Sequence, residues 1–141
     1  MNLSELLQNL PFPAAIPPAD VNITGVVSDS RRVQPGNLFV AFKGDSFDAH
    51  RFIPQALANG AAAVVGMEAE LQLDVPYVIV ENSRQTLPYL AAAFFGRPAH
   101  RMVMIGVTGT DGKTTTTNLI YQILLAAGHK AGMISTVNAV I

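Results

Sequence analysis

The sequence contains neither cysteine nor tryptophan, and charged residues make up only 13% of its 141 positions. The lack of cysteine excludes disulfide frameworks, thiolate catalysis and zinc sites with cysteine ligands. Nine Lys and Arg against ten Asp and Glu give a net charge of −1, so no basic surface is available to hold a nucleic-acid backbone. We therefore expect no nucleic-acid partner. The apolar share of 50% excludes a disordered chain.

Long hydrophobic runs are absent as well. The first residues, MNLSELLQNLPFP, have no basic segment, and their apolar run is too short for a secretory signal peptide. No stretch reaches the roughly 18 consecutive apolar residues of a membrane helix. We expect a soluble, cytoplasmic protein with no membrane partner.

The first 97 residues alternate between strand and helix patterns, which predicts a small α/β domain. Leucines at positions 3, 6, 7 and 10 predict a short amphipathic helix that Pro11 ends. The predicted strands cover residues 23–28, 38–42, 62–65 and 77–80, and further helices are predicted near 52–57 and from Asn82 or Ser83 to Phe95. Gly96 and Pro98 then stop the helical pattern, so we place a domain boundary between residues 97 and 98.

Residues 98–141 show the pattern of one βαβ unit. Strands are predicted over 102–107 and 131–137, with a helix over 113–127 between them. Both strands are apolar throughout, as in a parallel sheet covered on both faces. Because a complete domain of this kind needs more strands, we expect 1–97 to be a complete domain and 98–141 the beginning of a second, incomplete one.

The strongest chemical signal is Gly106-Val-Thr-Gly-Thr-Asp-Gly-Lys-Thr-Thr115, between the predicted strand and helix. Glycines allow backbone N–H groups to surround an anion, and the helix N-terminus adds a favourable dipole. Lys113 supplies a charge for the β- and γ-phosphates, and the Thr114 hydroxyl can bind Mg²⁺. The alternative is a hairpin at Asp111-Gly112, but the helical spacing after these two residues argues against a second strand there.

Two motifs resemble those of the Mur ligase family. The loop matches the family pattern G-x-T-G-T-(N/D)-G-K-(S/T), and Ser28-Asp-Ser-Arg-Arg-Val-Gln-Pro-Gly-Asn-Leu-Phe-Val-Ala41 is similar to its D-S-R-x-x-x-x-G-x-(L/I)-F-V-A signature. Asp48, His50 and Ala56 follow in the family's spacing. His50, His100 and His129 lack metal-ligand spacing, and we interpret them as surface or capping residues.

The resemblance implies a three-domain, ATP-dependent amide ligase of peptidoglycan synthesis. Within the family the chain is similar to the MurE type, which adds a third amino acid, diaminopimelate or lysine, to UDP-N-acetylmuramoyl-L-Ala-D-Glu through an acyl phosphate. This chain would hold the UDP-binding domain and the first βαβ unit of the ATPase domain, and alone it should be inactive. The nearest rival is the MurF type, which adds D-alanyl-D-alanine.

The resemblance also implies the site residues. The ATP contacts would be Gly109, Thr110, Asp111, Gly112, Lys113, Thr114 and Thr115, with Lys113 catalytic and Thr114 holding Mg²⁺. The UDP contacts would be Ser28, Ser30, Asp45, Ser46 and Phe47. Several relatives have His-Gln-Ala where this sequence has residues 45–47. Without the resemblance, residues 28–32 would be an ordinary structural turn, and Phe47 could equally be a core residue.

Two interpretations from other classes remain open. One is a nucleotide-sugar binding module without catalysis. The other is a kinase or GTPase with a generic phosphate loop, although a GTPase is disfavoured because the sequence has no N-K-x-D motif.

Overall fold

The structure is a computed structural model that describes residues 1–14, 19–44, 47–69, 71–137 and 139–140. The chain forms two compact units, Met1–Arg101 and Met102–Ile141. The predicted domain limits, 1–97 and 98–141, stay a prediction. No helix within the described ranges is long and apolar enough to cross a membrane.

Four short strands form the sheet of the first unit: β1 (Gly25–Val27), β2 (Asn37–Val40), β3 (Ala63–Gly66) and β4 (Tyr77–Ile79). They lie in the order β1-β2-β3-β4, and every neighbouring pair is parallel. All four residues of β2 and of β3 are buried. Burial on both faces explains why these strands are continuous apolar runs rather than alternating ones. The predicted α/β class of the first unit is confirmed, and the structure adds that its sheet is parallel.

Helices cover both faces of this sheet. They are α1 (Leu3–Gln8), α2 (Ile53–Ala58) and α3 (Ser83–Phe94), and 3₁₀ turns lie at Ser30–Arg32, Ala49–Phe52 and Pro98–Arg101. The side chains of β2 and of Ala41 directly after it alternate between two cores. Leu38 and Val40 pack with residues of α1 and α3, whereas Phe39 and Ala41 pack with residues of α2. The first unit therefore has three layers, with the sheet in the middle.

Helix ends follow the signals in the sequence. The Asn82 side chain accepts a hydrogen bond from the Gln85 amide at 3.0 Å and caps α3. Asn59 caps the end of α2, and Gly60 follows with a φ of 93°. A Cβ on Gly60 would approach Pro35 Cα to 3.0 Å, so glycine is needed here both for its backbone and for space.

The second unit differs from the prediction. Helix α4 (Lys113–Ala126) forms as expected, and a short antiparallel hairpin comes after it, β5 (Met133–Ile134) with β6 (Ala139–Val140). The predicted strand over 102–107 is wrong, because these residues form neither helix nor strand. The strand predicted over 131–137 is reduced to Met133–Ile134. Among the residues of this unit that the structure describes, the expected βαβ unit is consequently not formed.

The physical reason is the absence of a neighbour. A β-strand exists only as part of a hydrogen-bonded ladder, and no described residue pairs with 102–107. Val103 is 90% exposed, and the side chains of Met104 and Ile105 are exposed as well. A β-branched, apolar sequence indicates that a segment can be a strand, but a second strand must be present to hydrogen-bond with it.

Candidate functional site

The loop that the sequence predicts to bind phosphate, Gly106 to Thr115, leads into α4 and includes the first turn of this helix. Gly109 has a φ of 153° and Gly112 a φ of 74°, values that residues with a side chain adopt only at a cost. Gly112 is the N-cap of α4, and no side chain caps this helix end. The first amides of α4 have no partner within the helix, so they can bind an anion.

Lys113 folds back over the loop. Its ammonium donates to the carbonyl oxygens of Gly109, at 2.6 Å, and Thr110, at 2.9 Å. An ammonium has three donors, so one remains for a phosphate oxygen while both loop contacts are kept. The lysine therefore both shapes the loop and brings a positive charge to the N-terminus of α4.

The threonines after Lys113 differ in their hydrogen bonds. Thr117 donates its hydroxyl to the Lys113 carbonyl at 2.8 Å, one turn back along α4. The half-exposed Thr114 hydroxyl has no hydrogen-bond partner among the described residues. A free hydroxyl oxygen beside an anion site is a suitable ligand for Mg²⁺, which prefers oxygen and is bound together with substrate phosphates. Thr110 and Asp111 are exposed in the loop, and Thr115 is exposed in the first turn of α4.

A second candidate site lies at the carboxyl edge of the first unit's sheet. Because β1, β2 and β3 are parallel, the segments that follow them meet at one edge, where open α/β sheets bind ligands. Ser28 follows β1, the segment with Phe47 and His50 follows β2, and Met67 follows β3.

The turn after β1 is fixed by Asp29. Its carboxylate accepts from the Arg31 amide at 3.0 Å and caps the 3₁₀ turn, and it also accepts two bonds from the Arg31 guanidinium, at 2.9 and 2.8 Å. The Arg31 side chain first, and then its amide, lower the pKa of Asp29 from 3.8 to about 2. Asp29 and Arg31 therefore build the turn that carries the two candidate serines.

The two serines have different environments. Ser30 is buried, and its hydroxyl donates to Gln55 Oε1 at 2.7 Å, while its carbonyl accepts from Asn59 Nδ2 at 2.9 Å. These bonds tie the turn to α2, which is a structural task. The partly exposed Ser28 hydroxyl has no partner in the described part of the chain. Of the pair, Ser28 has its hydroxyl available for a ligand.

Of the candidates at 45–47, Asp45 and Ser46 lie outside the described residues. Phe47 is 43% exposed, so it is not a core residue. Its ring stacks on Phe52 with centroids 5.5 Å apart, and the Arg51 guanidinium lies 5.4 Å from the Phe47 centroid and 4.7 Å from that of Phe52. This exposed aromatic surface with an adjacent cation suits a planar base and a nearby anionic group.

His50 is the important residue that the sequence reasoning misplaced. It is buried rather than on the surface, its Nδ1 lies 2.7 Å from Asp48 Oδ1, and its Nε2 accepts from the Met67 amide at 2.9 Å. The His50 amide, followed by its ring, lowers the pKa of Asp48. A signal was present, since Asp48-x-His50 repeats the spacing of Asp29-x-Arg31, and each aspartate caps a 3₁₀ turn after a strand.

Asp48, His50 and Glu68 bring three ligand atoms within 4.8 Å of one another, which raises the question of a metal. A metal needs a bare ring nitrogen. The lone pair of Nε2 already accepts from Met67, so the ring proton is on Nδ1, where it faces Asp48. Hydrogen bonds therefore occupy both ring nitrogens of His50, which leaves this imidazole no free lone pair for a cation.

An apolar groove of about 750 Å³ lies elsewhere on the first unit, between the ends of α1 and α3. Tyr89, Phe95 and Arg97 are among its lining residues, and none of the predicted site residues is. We therefore place the candidate chemistry in the loop and at the sheet edge rather than in this groove.

Both compact units of the chain are similar to known proteins. Residues 22–95 match the Mur ligase family, catalytic domain, and residues 107–141 match the Mur ligase middle domain. A UDP-N-acetylmuramyl-tripeptide synthetase of Roseiflexus sp. (strain RS-1) is 51% identical over 140 residues, which are 98% of this chain and 28% of that protein. A UDP-N-acetylmuramoyl-L-alanyl-D-glutamate–2,6-diaminopimelate ligase of Bacillus cereus is 44% identical over 138 residues, again 98% of this chain and 28% of the relative.

Among solved structures, the MurF ligase from Thermotoga maritima in complex with ADP is similar, with a TM-score of 0.56 and 39% identity over 72% of this chain and 23% of that one. The chain thus spans little more than a quarter of the length of the relatives it matches. The expected resemblance is confirmed. The motif at residues 28–41 lies inside the first matched region, and the loop motif lies inside the second except for Gly106. This chain belongs to the Mur ligase family.

Proposed function

We propose that the chain is the UDP-binding and phosphate-loop part of an ATP-dependent ligase that adds the third amino acid, diaminopimelate or lysine, to UDP-N-acetylmuramoyl-L-Ala-D-Glu. The similarity to the Roseiflexus tripeptide synthetase and to the Bacillus cereus diaminopimelate ligase supports this type. We propose residues 1–97 as the UDP-binding domain and 98–141 as the beginning of the ATPase domain. The expected cytoplasmic location stays a prediction.

The observation that carries the proposal is the glycine loop at the uncapped N-terminus of α4, with Lys113 folded over it. An amide ligase must convert a carboxylate into an acyl phosphate that an amine can attack. Lys113 would align and neutralise the γ-phosphoryl group during that transfer, with the amides near Gly112 holding the phosphates. Mg²⁺ on Thr114 would supply further neutralisation of phosphate charge when bound.

In the first unit, we propose that Ser28 and Phe47 contact the UDP end of the substrate, together with Asp45 and Ser46. The shared sheet edge supports this role for Ser28 and Phe47. Ser30, whose hydroxyl already donates to Gln55, would contribute by holding the turn and by accepting a bond from the ligand.

The second candidate is the MurF type, which the similarity to the Thermotoga maritima structure favours. The two types share an ATP loop and a UDP-linked substrate, and they differ in the amino acid or dipeptide they add. Fusing this chain to the rest of a known ligase would not separate the two types, because the added part would decide which group is attached. For this chain, the testable part of the proposal is the binding of a UDP-linked substrate and of ATP.

Lys113→Ala tests the proposal directly. The unchanged chain should bind both ATP with Mg²⁺ and UDP-N-acetylmuramoyl-L-Ala-D-Glu in titration calorimetry. Lys113→Ala should lower ATP affinity by about tenfold or more, because a phosphate loses a charged partner, and leave the affinity for the UDP compound unchanged. Lys130→Ala, which removes an exposed lysine of the same unit outside the loop, is the matched control.

A chain that binds neither ligand would contradict the proposed function. So would an ATP affinity that falls equally in Lys113→Ala and Lys130→Ala, since the effect would then reflect net charge. The chain alone should release no phosphate from ATP in the presence of the UDP compound and an amino acid.

A further inference from the structure

The segment after β2 is fixed on both sides of residues 45 and 46. On the β2 side, Ala41 donates its amide to the carbonyl of Val65 of β3 at 2.8 Å. The two arms of the segment bond to each other as well: the Gly44 amide donates to the Phe47 carbonyl at 2.7 Å, and the Ala49 amide donates to the Phe42 carbonyl at 3.0 Å. We call the side of this segment that begins at Phe47 the Phe47 arm. The position of the exposed Phe47 therefore depends on the residues that directly follow Phe47 in the chain.

Those residues include the pair Asp48 and His50. Asp48 accepts from the His50 amide at 3.0 Å and from the His50 ring at 2.7 Å, so the aspartate fixes both the turn and the ring. The opposite ring nitrogen accepts from the amide of Met67, the first residue after β3. This imidazole joins the arm that carries Phe47 to the carboxyl end of the neighbouring strand.

Gly66 keeps the space for this connection. A Cβ on Gly66 would lie 2.9 Å from His50 Nε2 and would also collide with the Tyr77 hydroxyl. That hydroxyl accepts from the Glu68 amide at 3.2 Å. Two successive amides after β3, those of Met67 and Glu68, are thus held by ring side chains, and no larger residue than glycine fits between those rings.

We propose that Asp48 and His50 are positioning residues of the UDP site, which hold the Phe47 arm against the end of β3 without touching the ligand. The inference rests on the proposed function of this edge. Both ring nitrogens of His50 are occupied by the protein and the residue is only 7% exposed, so His50 acts through Phe47. Ordering the arm before the ligand arrives lowers the entropic cost of binding.

Substitutions at His50 separate its two bonds. In His50→Gln the side-chain oxygen reaches the Nε2 position and can still accept from Met67, whereas in His50→Asn only the bond to Asp48 can be replaced. We expect His50→Gln to bind UDP-N-acetylmuramoyl-L-Ala-D-Glu within about threefold of the unchanged chain, and His50→Asn and His50→Leu to bind it about tenfold more weakly.

Two controls distinguish positioning from general damage. His100→Leu makes the same chemical change at an exposed histidine of the same unit and should not alter affinity. Leu90→Ala destabilises the core on the α1 and α3 face, and at temperatures where it is folded it should bind normally. Thermal unfolding of every variant shows the temperatures at which that variant is folded and its affinity can be compared.

The tautomer of His50 can be measured separately. The nitrogen-15 chemical shifts of its imidazole should show the proton on Nδ1, which faces Asp48.

The outcomes separate the two proposals. If the unchanged chain does not bind the UDP compound, the proposed function fails and the inference falls with it. If the unchanged chain binds and His50→Asn binds as well as His50→Gln, the inference fails while the proposed function stands. A Leu90→Ala chain that is folded yet loses affinity like His50→Asn would also overturn the inference, because any loss of stability would then have the same effect.

Discussion

The two units of the chain contain similar apolar sequences but use them differently. In Met1–Arg101, β2 and β3 are buried on both faces and two separate clusters of buried side chains cover the sheet. In Met102–Ile141, Met133 is the one buried apolar side chain among the described residues, and α4 buries none. The apolar side chains of Val103, Ile123 and Ile134 are more than half exposed.

The difference shows that an apolar run becomes a strand only where it has hydrogen-bonded neighbours, whatever its composition. Residues 38–40 and 102–107 are both apolar and rich in strand-forming residues. The first run has β1 and β3 as hydrogen-bonded neighbours, and the second has no ladder among the described residues. The anion site that we propose in the second unit nevertheless depends on α4, Gly109, Gly112 and Lys113, and all of these are in place.

The contrast in burial predicts a large difference in stability effects between the units. Phe39→Ala empties a fully buried position and should lower the free energy of unfolding of the first unit by about 3 to 5 kcal/mol. Ile123→Ala changes a side chain that is 65% exposed and should have an effect below about 0.5 kcal/mol, because alanine also favours helix. Urea unfolding, followed separately through amide signals of β3 and α4, measures both.

Equal effects of the two substitutions would contradict this contrast, since Ile123 would then be buried in solution. The same measurement at several protein concentrations checks for self-association. An effect of Ile123→Ala that grows with concentration would show that a second copy covers this face of α4.

A smaller effect concerns the stability of the first unit at low pH. The hydrogen bonds from Arg31 lower the pKa of Asp29 from 3.8 to about 2, so the folded state favours the carboxylate. The stability that this carboxylate contributes is present above pH 3.8 and is lost as the pH falls from there toward 2. Asp29→Asn keeps an oxygen that can cap the turn but removes the charge.

The first unit of Asp29→Asn should therefore show a shallower loss of stability between about pH 4 and pH 2 than the unchanged chain, as measured by the urea midpoint at each pH. Asp111→Asn, a change in the second unit, is the matched control. An unchanged slope in Asp29→Asn would show that the Arg31 bonds do not form in solution.

The sequence predicted the elements of the first unit well because each carries its own local signals. Asn82 caps α3, Asn59 and Gly60 end α2, and the leucines of α1 all face one core. The sequence-based prediction failed at 102–107 because a strand forms only when a distant segment of the chain pairs with it. A periodicity argument can identify a face to be buried, but not whether a partner is present to bury it.

At the candidate sites, the sequence names candidate residues but does not show what each one does. The residues from Gly109 to Thr115 lie together because they are consecutive, and they form a loop and the first turn of α4. Ser28 and Ser30 look equivalent in the sequence, yet only the structure shows that Ser30 bonds to Gln55 while Ser28 has no partner among the residues described. The link from His50 to Met67 joins residues far apart in the chain, and such contacts leave little trace in a single sequence.

Hydrogen exchange of the chain, with and without each ligand, is the decisive measurement for two separate sites, because it follows both units in one experiment. Without ligand, the amides of β2 and β3 should be strongly protected and those of 102–107 should exchange rapidly. UDP-N-acetylmuramoyl-L-Ala-D-Glu should then slow exchange around residues 28–32 and 47–50 alone, and ATP with Mg²⁺ should slow it in 109–115 alone. Protection of 109–115 by the UDP compound, or of 28–32 by ATP, would contradict the separation of the two sites.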